Sequence, residues 1–195
     1  MIPSQPLLRP VRPTFTVRVK VGIRYLLITA ALLICIGLAS RAIAWPLVTT
    51  TLGPTAYVFA AHPDSEAARL RNAFFGHLSA FAAGLFALAV FGLWDAGPIS
   101  SSGAPSLTRV GAAAVAVGVT LLALELVGSH HAPAAATTLL IATGLARPGK
   151  PLLGLAVGLG ILLILGPLSA SVPFARAESP TDTPPAGAGT PRGPG

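Results

Sequence analysis

The chain has 195 residues, of which 53% are hydrophobic and only 10% charged. That balance excludes an ordinary soluble domain, which needs a polar surface this chain cannot supply, and it points to an integral membrane protein with the lipid bilayer as its main partner. The net charge of +7 does not mark a nucleic-acid binder, because the basic residues gather at the ends of apolar segments and no aromatics interleave with them to stack bases.

The length leaves room for one helical bundle with short tails and none for an added soluble catalytic domain. Cys35 is the single cysteine and lies in an apolar run, so no internal disulfide is expected and nothing argues for a metal or another cofactor. Residues 1–22 carry Arg9, Arg12, Arg18 and Lys20, no acid, and the prolines Pro3, Pro6, Pro10 and Pro13; they predict a basic, disordered tail. A signal peptide ending near Ala42-Ile43-Ala44 is the competing reading. The long basic region and the return of apolar sequence right after Arg41 argue against it.

Five apolar stretches follow, at about 23–40, 43–61, 73–94, 108–128 and 151–173, each near the length of roughly 20 residues that a span needs. A sixth, 133–145, is too short to cross easily and reads as a short or re-entrant helix. The expected fold is therefore an all-α polytopic bundle over 23–173, with about 4–5 full spans plus one or two short helices started by Pro54 and Pro133. The loop 95–107 has no Lys or Arg and belongs outside, whereas Arg69 and Arg71 belong inside with the N-terminus. If 133–145 re-enters, Arg147 and Lys150 are also inside and the C-terminus is outside; if it crosses, both assignments reverse. Charge counting favours re-entry. Residues 174–195 are rich in Pro, Gly, Ala and Thr and predict a disordered tail.

A weak internal repeat aligns Pro54-Thr55-Ala56 with Pro133-Ala134-Ala135. Each is followed by an apolar run, a basic link and a span opening at a glycine, Gly76 or Gly154. This order is shared with transporters built from two halves, and also with chance similarity in apolar sequence. Gly154 and Gly158 form a GxxxG spacing best suited to helix packing.

Polar and titratable groups inside apolar sequence are the candidate pathway residues. His77 opens a span, and His130 and His131 precede Pro133. Imidazole can donate to an anion or couple a proton to it. Pro54 and Pro133 would expose helix N-termini, which attract anions through unpaired N–H groups, and Thr55, Thr137 and Thr138 add hydroxyls. Glu125 is the one carboxylate well inside an apolar run; it either reaches the interface or pairs with a buried donor such as a histidine. His62, beside Pro63, reads as interfacial. Adjacent histidines lack the spacing that turns both onto one metal, and no nucleophile turn, phosphate loop or carboxylate pair suggests an enzyme.

Three blocks resemble the HPP family of integral membrane proteins. His131-Ala132-Pro133-Ala134-Ala135-Ala136-Thr137 is similar to the family's H-P-P-A-G-A-T. Gly53-Pro54-Thr55-Ala56 is similar to its G-A/P-S/T-A, and Arg71-Asn72 through Gly76-His77 to its R-N-x-x-G-G-H. Ala132, Ala135 and Phe75 depart from the pattern. The resemblance implies about four membrane spans and a transporter-like bundle, with nitrite as a candidate solute because some plastid and cyanobacterial members are linked to nitrite transport. The combined expectation is a multi-pass protein of the bacterial plasma membrane, self-associating and non-enzymatic. It would pass a small anion along His77, His131, Pro133, Thr137, Pro54, Thr55 and Glu125. The alternative is a non-transporting scaffold or accessory subunit.

Overall fold

The computed structural model describes residues 14–99 and 104–169. The described residues form six α-helices and one 3-10 turn: α1 Phe15–Ile43, α2 Leu52–Ala61, the turn Glu66–Ala68, α3 Leu70–Val90, α4 Leu107–Val127, α5 Ala134–Ala142 and α6 Lys150–Ser169. Four of these, α1, α3, α4 and α6, are long and apolar enough to cross a membrane. Residues 15–22, expected in the basic tail, are instead the first turns of α1; no proline follows Pro13 to stop them. The rest of that tail and the C-terminal tail lie outside the described residues.

The stretch 43–61 is not one continuous helix. α1 ends at Ile43 with Ala44 in the left-handed region, and Pro46 cannot donate the bond that would carry the helix onward. The Ser40 hydroxyl takes over, donating to the Trp45 carbonyl and accepting from the Leu47 amide. Helix resumes only at Leu52. Elsewhere glycines set the ends. Gly92 and Gly128 have positive φ, and the next amides close back on Leu88 and Leu124 to finish α3 and α4.

Contacts fix the direction of each segment. Ser40 touches the start of the break and Arg24 touches Ala60, so residues 45–61 run back along α1. α6 follows the same course, with Gly154 against Pro46, Gly158 against Leu47 and Gly166 against Phe59. In the second half α4 runs back along α3, and 131–142 returns along α4. The pairs Arg109 with Ala142 and Thr120 with Thr138 mark that return. Gly76 against His131 and Gly84 against Ile141 show α3 travelling with it. The chain therefore makes six traverses, two of them irregular in their first part and helical in their second.

Those traverses form two groups. α1, α2 and α6 pack together, as do α3, α4 and α5, and contact between α3 and α6 is slight. Each half of the sequence thus lends its last long helix to the other half's short helix. The halves run in opposite directions, so the arrangement is an inverted repeat. The same chain interval separates Phe59 from Ile141, Ala60 from Ala142 and Gly84 from Gly166, each pair making matching contacts. That interval differs by nearly a helical turn from the one between Pro54 and Pro133. Thr55 therefore corresponds to Thr137, not to Ala134.

One expected placement is overturned. The Ile99 amide donates to the Thr143 carbonyl at 3.0 Å, and Arg109 bridges Ala142 and Gly97. The link after α5 therefore lies beside the loop after α3, at the end of the bundle distal to the start of α1. Arg147 and Lys150 are at that distal end, opposite Arg69 and Arg71. The segment 133–145 completes a crossing rather than re-entering. Charge counting misjudged it because a short helix joined to an extended segment spans as far as a longer helix would.

Two outcomes are expected. In a Cys35→Ser background, Asp95→Cys and Arg147→Cys should label from one side of the membrane and Asp64→Cys from the other; labelling of 64 and 147 from the same side would refute the crossing. At Gly158 an added Cβ meets the Leu47 backbone carbonyl, whereas at Gly160 nothing lies within 4 Å. Gly158→Ala should lower stability by about 1–3 kcal/mol and Gly160→Ala by less than roughly 0.5 kcal/mol, as read from thermal unfolding in detergent.

Candidate functional site

Where the two broken traverses pass each other, five polar side chains meet in the interior. α2 contributes Thr55 and its flanking residue Thr51, α3 contributes His77, the segment before α5 contributes His131, and α5 contributes Thr137. His131, Thr51, Thr55 and Thr137 are 0% exposed and His77 is 3% exposed. Each is there for a local reason. Gly76 lets α3 approach so closely that an added Cβ would stand 3.0 Å from His131 Cβ, and this brings the neighbouring His77 alongside. Thr51 and Thr55 are one turn apart on one face of α2, and the Thr55 hydroxyl also donates to the Thr51 carbonyl at 3.1 Å.

The hydrogen bonds form a chain whose direction is set at one end. His131 Nδ1 lies 2.7 Å from the Ala67 carbonyl, and a carbonyl only accepts, so Nδ1 carries the proton. His131 Nε2 is 3.2 Å from His77 Nε2, and with His131 neutral its Nε2 is the acceptor and His77 Nε2–H the donor. His77 Nδ1 then accepts from the Thr137 hydroxyl at 2.9 Å, which in turn accepts from Thr51 at 2.7 Å. Thr55 Oγ1, 3.3 Å from His77 Nε2, is a second acceptor for that proton. The rings meet edge to face, with centroids 4.9 Å apart. A nitrogen pair this close needs a lone pair on one side, so the two imidazoles cannot both be fully protonated while it is formed.

Beside this chain, Thr120 on α4 and Thr138 on α5 share a 2.7 Å hydrogen bond. Toward the proximal end, where α1 begins, the cluster is covered by the turn 66–68. That turn is held by Asn72 donating to the Glu66 carbonyl at 2.9 Å and by Ser129 donating to the Asn72 carbonyl at 2.8 Å. Toward the distal end lie the apolar residues Leu47, Leu88, Leu140, Ile141 and Leu155, packed in one core. The cluster is enclosed at both ends.

The structure brings together His77, His131, Thr55 and Thr137 from the residues singled out in the sequence, with Pro133 buried beside them. It separates two others. Pro54 sits in the first turn of α2 but on its exposed face, and Glu125 is exposed on α4, too far round that helix to pair with a histidine. His130 lies 3.6 Å from Glu66, with both side chains exposed, and His62 is likewise exposed, 3.3 Å from the Tyr57 hydroxyl. The amides of 134, 135 and 136 each donate to a carbonyl three residues back, so the start of α5 does not present them free as the sequence suggested.

Thr51 was missed, since only its position one turn before Thr55 at a helix start hints at a role. Arg24 and Arg109 were missed as well. Both are buried, and each donates to a carbonyl at the C-terminal end of a short helix. Arg24 Nη1 reaches Ala60 at 2.7 Å and Arg109 Nη1 reaches Ala142 at 3.3 Å. A cation there complements the negative end of the helix dipole. Among the described residues no group of three or more His, Cys, Asp or Glu is placed to hold a metal.

Four crossing helices, two broken traverses and an enclosed polar cluster between inverted halves define a polytopic α-helical membrane protein with an intramembrane polar site. The model of the HPP transmembrane region matches residues 15–176, and the chain belongs to the HPP family. No curated protein and no solved structure matches it.

Thr137 joins Thr51 to His77, so its loss leaves the Thr51 hydroxyl and His77 Nδ1 without a partner. Thr137→Val should destabilise by about 1–3 kcal/mol, as expected for orphaned buried polar groups. Thr143→Val, whose hydroxyl bonds only within its own helix, should cost far less in the same unfolding assay.

Proposed function

We propose that the protein passes a small polar solute, with a small anion such as nitrite as the favoured class, through the Thr51–Thr55–His77–His131–Thr137 cluster. The observation that carries this reading is the burial of two imidazoles and three hydroxyls where two helix N-termini converge between inverted halves. Buried polar groups in a bilayer are costly, and packing alone does not call for them. Imidazole and hydroxyl donors can replace part of an anion's hydration, and an imidazole pair can take up a proton with it. On this reading the enclosed cluster is an occluded state. The α1–α2–α6 group then moves against α3–α4–α5 to expose the site to one side and then the other, breaking the Thr51–Thr137 and Thr55–His77 contacts that join them. No bond of the solute is made or broken, so no catalytic role is assigned.

The surplus of basic residues in the N-terminal segment supports a cytoplasmic proximal end in a bacterial plasma membrane. The exposed apolar faces of α1 and α4 leave room for a second copy as well as for lipid. The scaffold reading is less favoured, because it gives the His77–His131 pair nothing to do beyond packing.

Uptake into liposomes tests the proposal. Wild type should take up nitrite faster than empty liposomes, and His131→Ala and His77→Ala should each slow uptake by roughly 10-fold or more, the effect of losing one positioned donor. Glu125→Gln should leave uptake unchanged. Each variant must first be shown to be monodisperse. No uptake of any small anion by wild type would sink the transport reading, and unchanged uptake in both histidine variants would sink the site.

A further inference from the structure

Arg24 has a second hydrogen-bonding edge that the fold does not use. Its side chain is 3% exposed, and Nη1 donates to the Ala60 carbonyl at 2.7 Å. Nε and Nη2 are buried with no hydrogen-bond partner in the protein. Among the described residues, no carboxylate pairs with it; the ion pairs present are those of Glu66 with Arg69 and with His130. A guanidinium keeps its charge at any accessible pH, and an uncompensated charge inside a membrane protein is expensive.

The inverted repeat supplies an internal comparison. Arg109 makes the equivalent bond to the end of α5, and its Nη2 donates to the Gly97 carbonyl at 2.7 Å. There the second nitrogen serves a loop and the guanidinium is a structural clamp. No loop carbonyl fills the same role for Arg24.

Nε and Nη2 form one edge of the guanidinium, with two nearly parallel N–H groups. That fork matches the oxygen pair of a carboxylate, phosphate or other oxyanion, whereas a monatomic anion or a single carbonyl matches it poorly. We propose that Arg24 is an oxyanion-binding site at the proximal end of the α1–α2–α6 group, anchored to α2 through Nη1 and holding two oxygens of its ligand on the Nε–Nη2 edge. α6 ends beside it, with Gly166 against Phe59. Arg18 and Lys20, exposed on the preceding turns of α1, raise the local concentration of anions. Two sources share this chemistry: a small soluble oxyanion and the phosphate of a lipid headgroup. The site does not depend on the transport reading, since it is read by equilibrium binding.

The experiment uses the full chain, purified and delipidated in neutral detergent, as wild type, Arg24→Lys and Arg109→Lys. Lysine keeps the charge and can still reach Ala60 but offers no fork. Thermal unfolding is followed with nitrite, with inorganic phosphate and with chloride at matched ionic strength, and retained phosphatidylglycerol is measured by native mass spectrometry before delipidation. A soluble oxyanion as ligand predicts that nitrite or phosphate raises the wild-type melting temperature more than chloride does. Its affinity should then fall roughly 10-fold or more in Arg24→Lys but not in Arg109→Lys. A headgroup as ligand predicts that wild type and Arg109→Lys retain phosphatidylglycerol and Arg24→Lys does not. Wild type and Arg24→Lys behaving alike in both measurements would overturn the proposal. Should Arg24→Lys fail to fold, equal effects of chloride and the oxyanions on wild type, with no retained phospholipid, would overturn it as well.

Discussion

The structure depends on one constraint: backbone that leaves the helix inside a membrane must find hydrogen-bond partners within the protein. The chain breaks helix twice, after Ile43 and after Val127, and at both breaks some of the freed groups find partners within the protein. Ser40 serves Trp45 and Leu47 at the first. At the second, the Ser129 amide donates to the Leu124 carbonyl, the His131 amide to the Ser129 carbonyl, and the amides of 134–136 to carbonyls three residues back. The short helices end on buried arginines for the same reason. Without Arg24 and Arg109, carbonyls at the ends of α2 and α5 would lie in apolar surroundings facing nothing that could donate.

Close approach is what makes such partners reachable. Gly154, Gly158 and Gly166 let α6 lie against the first broken traverse, and Gly76 and Gly84 let α3 lie against the second. In a bilayer no hydrophobic effect pulls helices together, so small residues that admit backbone contact contribute the packing energy instead. The glycines and the polar cluster belong to one arrangement: Gly76 removes the side chain that would otherwise hold His131 away from His77. A polar site between these groups follows from that crossing, since short helices of opposite direction overlap only at their starts.

Much of this was legible. Pro133, the short apolar run after it and the two histidines pointed to a broken helix with a polar start, and the prolines and lengths separated long spans from short ones. Other features left no signal of their own. Arg24 and Arg109 were not singled out, because sequence alone does not distinguish a basic residue facing lipid headgroups from one buried on a helix end. The side of Arg147 and Lys150 was misread because an extended segment of few residues crosses as much membrane as twice as many helical ones. Glu125, for which the sequence left both an interfacial place and a buried partner open, is exposed near the end of α4. The repeat was visible through Pro54 and Pro133, but in the wrong register. Proline is tolerated anywhere in a first turn, so it marks a helix start only to within that turn.

The corrected register shows how far the halves have diverged. Thr55 and Thr137 are equivalent, and both contact His77. The position equivalent to His77 on α6 is Leu159, buried in the apolar core. The position equivalent to His131 is Thr49, whose buried hydroxyl has no partner. The two backbone breaks are thus related by the repeat while both imidazoles come from α3 and the start of α5, within the α3–α4–α5 group. The α1–α2–α6 group supplies only hydroxyls across the boundary. Both titratable groups therefore lie on one side, joined to the other through the Thr51–Thr137 and Thr55–His77 contacts.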